Sequence, residues 1–476
     1  MRKPKIRRLS PTQKNMVELF YILFLGLGGL SVIAAMISGG ETLRHTFFFT
    51  YNSKYQMCTT DAFMDFFNSV RDASHNGGYE KGVIYPPLAN LIFFLFGKMM
   101  YADYVGETFT NRFSLRNYDP NGLLVYFVFV TLCLFMTFLV IDRRLRSQNF
   151  KFSPALMALF GTFSFPMLYG IQRGNIIILA VPLTMFFVFY RNSKKKWIRE
   201  LSYIALALAA AVKIYPAVFG VLLITDKKYK EALRTVAYGI ALFILPVFAF
   251  DGGLDLIRQL VENIVHFSGQ KASSVSKITF RSGYAFQTLA NTYFTTKLTS
   301  ILGKLIFICI ELLSFMMAFM LPKEWQKVTC ICYALFNIQS FSGNYALVFF
   351  LLPFIMFITE RKRFRWNDIV FLLCMMMMFI VLPCFWYQGV VNASWSSDAV
   401  CTVAASLKER TRAAFIDHYV GVNKLISPFA FHSCFLLLIY DAWTTVDDKA
   451  VNVFKKKNKP EPISEENADI PAEEQV

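Results

Sequence analysis

"RELSYIALALAAAVKIYPAVFGVLLIT", residues 199–225, decides how this chain is read. The stretch runs for 27 residues, more than the roughly 20 that one helix needs to cross a bilayer. Basic clusters flank it on both sides, "RNSKKKWIR" at 191–199 and "DKKYKEALR" at 226–234. Short loops rich in Lys and Arg stay cytoplasmic, so a chain that leaves one cluster and arrives at the next has crossed twice. Pro216 supplies the turn, because it lacks a backbone donor and disfavours helical geometry at Tyr215. The sequence therefore predicts a helical hairpin whose two short arms meet at Lys213 and Pro216 on the outer side.

Working outward, the same charge rule organises the rest. Further basic clusters lie at 143–151, 322–327, 360–365 and 455–459. The runs 153–191 and 328–359 read as two more hairpins, with "YGIQRGN" (169–175) and "SFSGN" (340–344) at their tips. Single crossings are expected at 17–37, 123–142, 235–250, 302–320, 367–387 and 425–443, for about twelve spans with both termini cytoplasmic. The apolar part of "PPLANLIFFLFGKMM" (86–100) is too short to cross and reads as a juxtamembrane or re-entrant helix. The expected architecture is an all-α polytopic integral membrane protein. Residues 1–443 form one transmembrane domain with long outer loops at 38–122, 251–300 and 388–424, followed by a disordered cytoplasmic tail at 444–476.

Composition agrees. Of 476 residues, 55% are hydrophobic and only 17% charged, more apolar surface than one water-soluble core hides. The net charge of +17 comes from the clusters between apolar runs, so it reports membrane orientation and not nucleic-acid binding. The nine Cys contain no CxxC pair and fall mostly in apolar runs, and the five His lack metal-ligand spacing. Neither a disulfide framework nor a metal or cofactor site is indicated, and no GxxxxGK[ST] phosphate loop is present.

Against this background the polar residues gather on one side. Asp61, Asp65, Tyr85, Gln172, Arg173, Asn175, Lys213, Tyr215, Arg281, Gln287 and Asn344 all map to the outer membrane surface or just below it. Ionisable groups at that depth are costly and mark a function or a partner. Arg173 and Lys213 sit in hairpins without a local acid, so each is expected to need an anion. Cations facing carboxylates at a lipid boundary suit chemistry on a lipid phosphate. The cations (Arg173, Lys213, Arg281) hold the phosphate, while an Asp takes a proton from an attacking hydroxyl. Tyr85, Gln172, Asn175, Tyr215, Gln287 and Asn344 would line the substrate.

In these residues the chain resembles the polyprenyl-phosphate-sugar-dependent enzymes of glycosyltransferase family 87. The resemblance rests on an Asp in the first outer loop, "YPP" at 85–87, Gly-Asn at 174–175 opening a helix, and Lys-x-x-Pro from Lys213 to Pro216. It implies a GT-C-type bundle in a bacterial plasma membrane, with the active site outside. It implies an inverting hexosyltransferase, mannosyltransferase-like, that uses a polyprenyl-phosphate-linked donor and a glycolipid or glycan acceptor among membrane lipids. The family's first-loop Asp acts as general base, a role carried to Asp61, with Asp65 as the substitute. The later outer loop, "FRSGYAFQTLAN" (280–291), fits the family loosely, and the tip 340–344 lacks a His.

Plainer roles exist for the same residues. Asp61 and Asp65 would equally decorate an amphipathic helix, Tyr85 to Pro87 would start one, and Lys213 would snorkel to the interface. Two other functions share the expected spans. A lipid-linked sugar flippase or transporter would show inverted repeats and mid-membrane polar groups, and a non-catalytic GT-C-like assembly subunit would need no Asp. Convergence of Asp61 with Lys213 and Arg173 separates an enzyme from both.

Overall fold

A computed structural model describes residues 29–30, 33–34, 36–37, 63–74, 76–100, 119–147, 154–272, 297–338, 344–360, 366–382, 384–391 and 414–457. Most of the predicted first span, together with Asp61, Arg281 and Gln287, lies outside these residues.

Among the described residues, the outer loop 38–122 contains two short helices. Helix α1, Met64–Ala73, buries Phe66, Phe67 and Val70 on one face. A 3-10 turn at Asn76–Lys81 leads to α2, Pro87–Gly97. Pro86 and Pro87 start α2 because the first helical turn has no use for their missing donors. Its 11 residues are too few to cross a membrane, and it buries Ala89, Asn90 and Phe93 instead.

Helix α3, Pro120–Ser147, is the longest apolar rod among the described residues, and the Asp119 carboxylate accepts from the Gly122 N–H at its start (3.0 Å). Next come α4, Pro154–Thr162, and α5, Phe165–Arg173, bent by 43° at the break before Pro166. Helix α6, Ile177–Tyr190, is buried on nearly every side, as its uniformly apolar sequence requires.

The opening stretch folds as its proline demands. Helix α7, Lys196–Val212, stops at an extended Lys213 (φ −148°, ψ 117°). A 3-10 turn at Tyr215–Gly220 then leads into the short α8, Val221–Thr225. Helix α9 (Tyr229–Ile244) continues through a 3-10 turn at Leu245–Ala249 and is followed by α10 (Asp255–Ala272), α11 (Lys297–Met320) and α12 (Glu324–Ile338). A 3-10 turn at Asn344–Phe350, α13 (Leu351–Glu360) and α14 (Trp366–Phe379) precede the last helix, α15 (Val422–Lys457).

Among the described residues four helices are long and apolar enough to cross a membrane: Pro120–Ser147, Tyr229–Ala249, Ile301–Met320 and Ile426–Thr444. The bent pair α4–α5 makes a fifth if counted as one span. The hairpin runs are built from shorter apolar helices. The chain is thus a helical polytopic membrane protein.

Two expectations need correction. The segment 388–424, predicted as an outer loop, carries a local antiparallel ribbon, β1 (Cys384–Val391) paired with β2 (Ala414–Gly421), so β1 begins inside the expected span 367–387. The cause is local: "CFWYQGVV" is rich in the aromatic and β-branched types that suit a pleated surface. Helix α15 also runs on to Lys457, so the tail expected to be disordered from residue 444 starts within a helix.

One large core unites α1–α9 with α11–α15. A smaller cluster of Tyr79, Val83, Val247, Phe250, Leu256 and Leu260 fastens α10 over the first loop. There the Asn263 amide donates to the carbonyls of Tyr79 (2.7 Å) and Val83 (3.0 Å).

Candidate active site

The site begins with a backbone contact. Phe63, in the left-handed region at φ 63°, donates its N–H to the Gln172 carbonyl at 2.6 Å and so seats the N-terminus of α1 on the C-terminus of α5. The approach is close enough to demand glycine. Gly174 closes α5 at φ +74°, and a Cβ there would stand 2.8 Å from the Phe63 carbonyl oxygen and 2.9 Å from Phe66 Cβ.

That seating places Asp65, in the first turn of α1, against the end of α5. One Asp65 oxygen accepts from Arg173 Nη2 at 2.7 Å, and the other accepts from Asn175 Nδ2 at 2.9 Å. Asn175 is almost fully buried, and its own side-chain oxygen accepts the Ile177 N–H (3.1 Å) at the start of α6. One residue therefore orients the carboxylate and caps a core helix. Each Asp65 oxygen keeps a further lone pair for a substrate hydroxyl.

Lys213 enters from the turn after α7. Its ammonium lies 4.5 Å from the centre of the Tyr85 ring and 5.9 Å from that of Tyr215, within cation–π range. Burial pushes the Lys213 ammonium down to about 8, and the Asp65 charge opposes that shift. Burial raises the Tyr85 phenol well above its ordinary range, and the charge of Asp65 adds to the rise, so Tyr85 stays a neutral donor. Tyr345, at the start of the 3-10 turn before α13, feels both Asp65 and Arg173. Its ring meets Tyr169 of α5 at 6.1 Å.

Asp65, Tyr85, Arg173, Asn175, Lys213 and Tyr215 therefore come from four separate segments to one place. Gln172 joins them through its carbonyl. Asn344 lies in the backbone of the neighbouring 3-10 turn. The anion that Arg173 was expected to need comes from a distant part of the chain, Asp65, 108 residues earlier. Sequence reading also missed Tyr345 and Tyr169, whose only signal is a phenol beside each predicted hairpin tip. Among the described residues no group of three or more His, Cys, Asp or Glu is placed to hold a metal.

An oriented carboxylate facing a buried ammonium and neutral phenols can bind a polar ligand, accept a proton from it, and hold a developing anion. No curated protein matches the chain. The family model described as Glycosyltransferase family 87 matches residues 84–383, from Tyr85 through Arg173, Asn175, Lys213, Tyr215 and Tyr345, with Asp65 just ahead of the matched region. With the fold and this site in view, the chain belongs to glycosyltransferase family 87 and is a membrane glycosyltransferase.

Proposed function

We propose that the protein moves a hexose, with mannose the first choice, from a polyprenyl-phosphate-linked donor to an acceptor hydroxyl on the extracytoplasmic face of the membrane, with inversion. The supporting observation is the convergence of Asp65, Arg173, Asn175 and Lys213 at one site.

In this reading Lys213, which makes no ion pair among the described residues, takes the donor phosphate. The general base is Asp65, because it is the carboxylate held in the cluster by two side chains; Asp61, four residues earlier in sequence, lies outside the described residues. Asp65 removes the proton from the acceptor hydroxyl, and the oxygen forms its bond to the anomeric carbon. The bond from that carbon to the phosphate breaks on the opposite face. A β-linked donor thereby gives an α-glycoside and a polyprenyl phosphate. Arg173 contributes by fixing Asp65. From the sequence reading, Arg281 is assigned to the phosphate ligands, and Gln287 and Asn344 to the sugar and acceptor.

The test is incubation of the purified protein with polyprenyl-phosphate hexoses, sugar nucleotides and host membrane lipids, with products read by mass spectrometry. Transfer from the lipid-linked donor is expected. Activity with a sugar nucleotide but not with a lipid-linked sugar would overturn the reading.

A further inference from the structure

The Tyr215 hydroxyl is the anomaly of the site. Its oxygen is sealed from solvent and finds no hydrogen-bond partner among the described residues. Leaving such a group unpaired is costly, so a buried orphan next to an active site calls for a ligand atom. Neighbouring groups do not satisfy it. The Tyr215 ring packs edge-on against Phe349 (5.9 Å, 88°), and Tyr85 and Tyr345 are the other phenols in its electrostatic surroundings.

The chemistry of that ligand follows from what stands beside the hydroxyl. Lys213 and Tyr215 are two residues apart across the break after α7, and the ammonium sits 5.9 Å from the Tyr215 ring centre. Ile214 between them is 44% exposed. The carboxylate that acts on Lys213 is Asp65, whose oxygens already serve Arg173 and Asn175. An anion drawn to Lys213 therefore meets the free phenol as it arrives. A carbohydrate hydroxyl would answer the phenol alone, whereas a phosphate has one non-bridging oxygen for the ammonium and another for the phenol.

We infer that the Tyr215 hydroxyl and the Lys213 ammonium together form the seat of the polyprenyl phosphate, the phenol donating to one non-bridging oxygen while the ammonium holds the other. The inference rests on the proposed donor and assigns Tyr215 to the phosphate and not to the sugar. A neutral donor suits this position. It strengthens the grip on the departing phosphate without adding a second charge that would have to be buried before the donor arrives.

The Tyr215→Phe variant tests this cleanly, because it keeps the ring and removes an oxygen that bonds to nothing described in the fold. Wild type, Tyr215→Phe and Lys213→Arg proteins in lipid nanodiscs are titrated with a short-chain polyprenyl monophosphate and with the corresponding uncharged polyprenol. The expected result for Tyr215→Phe is an affinity for the phosphate lowered about tenfold or more, an unchanged affinity for the alcohol, and a melting midpoint equal to or above wild type. Unchanged phosphate affinity in Tyr215→Phe would overturn the assignment. So would an equal loss for phosphate and alcohol, or a lowered midpoint, each of which makes the hydroxyl structural. A wild-type protein that binds the phosphate no better than the alcohol would instead remove the proposed donor itself.

Discussion

The Asp65–Arg173 contact admits two readings that one cycle of substitutions separates. Either Asp65 is the base and Arg173 holds it, or Asp65 is present only to neutralise Arg173. Both groups are mostly buried, with side-chain exposures of 18% and 31%. Asp65→Asn cannot keep both of its contacts. If the amide oxygen faces Arg173, the amide nitrogen faces Asn175 Nδ2, donor against donor, and Asn175 cannot turn because its oxygen caps α6. If the amide is reversed, the clash moves to Arg173. The variant thus loses one charge-assisted bond of about 1.5–3 kcal/mol and leaves the guanidinium without its counter-charge. Loss of a general base lowers turnover by a further 10² to 10⁴, equivalent to about 2.7–5.4 kcal/mol in the barrier. In the double variant Asp65→Asn/Arg173→Gln both charges are gone, so the penalty for a stranded cation disappears. Melting midpoints in detergent and initial rates with a polyprenyl-phosphate hexose, measured for wild type, both single variants and the double, complete the cycle. The midpoint of the double variant is expected to recover part of the loss seen in Asp65→Asn, while its turnover stays at the Asp65→Asn level. If turnover in the double variant returns to that of Arg173→Gln alone, Asp65 is only a counter-ion and the base must be sought elsewhere, with Asp61 first.

Three further outcomes follow from the same geometry. Gly174→Ala is expected to cost at least about 1–2 kcal/mol for the left-handed backbone alone, plus displacement of the rigid Phe63 carbonyl, and a melting midpoint equal to wild type would contradict the close approach. Because the Lys213 ammonium sits at about 8 and the donor phosphodiester keeps its charge throughout, the cation is fully present below that pH and is lost as pH rises through it. The donor KM should therefore climb above pH 8, approaching tenfold per unit, and Lys213→Arg should flatten the climb because its charge persists; a flat wild-type profile up to pH 9 would remove Lys213 from donor binding. On the opposite side of the bundle the buried Arg191 pairs with Asp226 (3.1 Å) and with Glu324. Arg191→Met should lower stability by about 3 kcal/mol, near the lower end for breaking a buried pair because Glu324 is a third exposed, while leaving the KM for donor unchanged in the protein that remains folded.

What could be read in advance was whatever depends on neighbours in sequence. Pro216 announced the break that delivers Lys213 to the site, and Gly174 announced a turn at the end of α5. Both are backbone constraints, and backbone constraints act locally. The Asp65–Arg173 pair could not be read the same way, because its members are 108 residues apart and the contact exists only once Phe63 has docked on Gln172. The sequence showed two cations without acids, yet the fold supplies an acid to one of them and leaves the other beside an unpartnered phenol. Tyr345 went unnoticed because a phenol inside "NYALVFF" is indistinguishable from core filling until its neighbours are known. The β ribbon was overlooked for a related reason: Phe385, Trp386 and Tyr387 prolong the apolar run read as a span to 387, whereas aromatic and β-branched types such as these and Val390 and Val391 favour a strand. The helical continuation past residue 443 follows from another blind spot, since a helix satisfies its own backbone hydrogen bonds and need not end where the apolar surface does. These differences bear directly on the chemistry. A site with Arg173 and Lys213 both uncommitted would hold its phosphate by charge alone. The site formed here commits Arg173 to orienting Asp65, so among its described residues Lys213 is the cation left for the phosphate, and the phenols around Lys213 are the neutral donors in a position to help it.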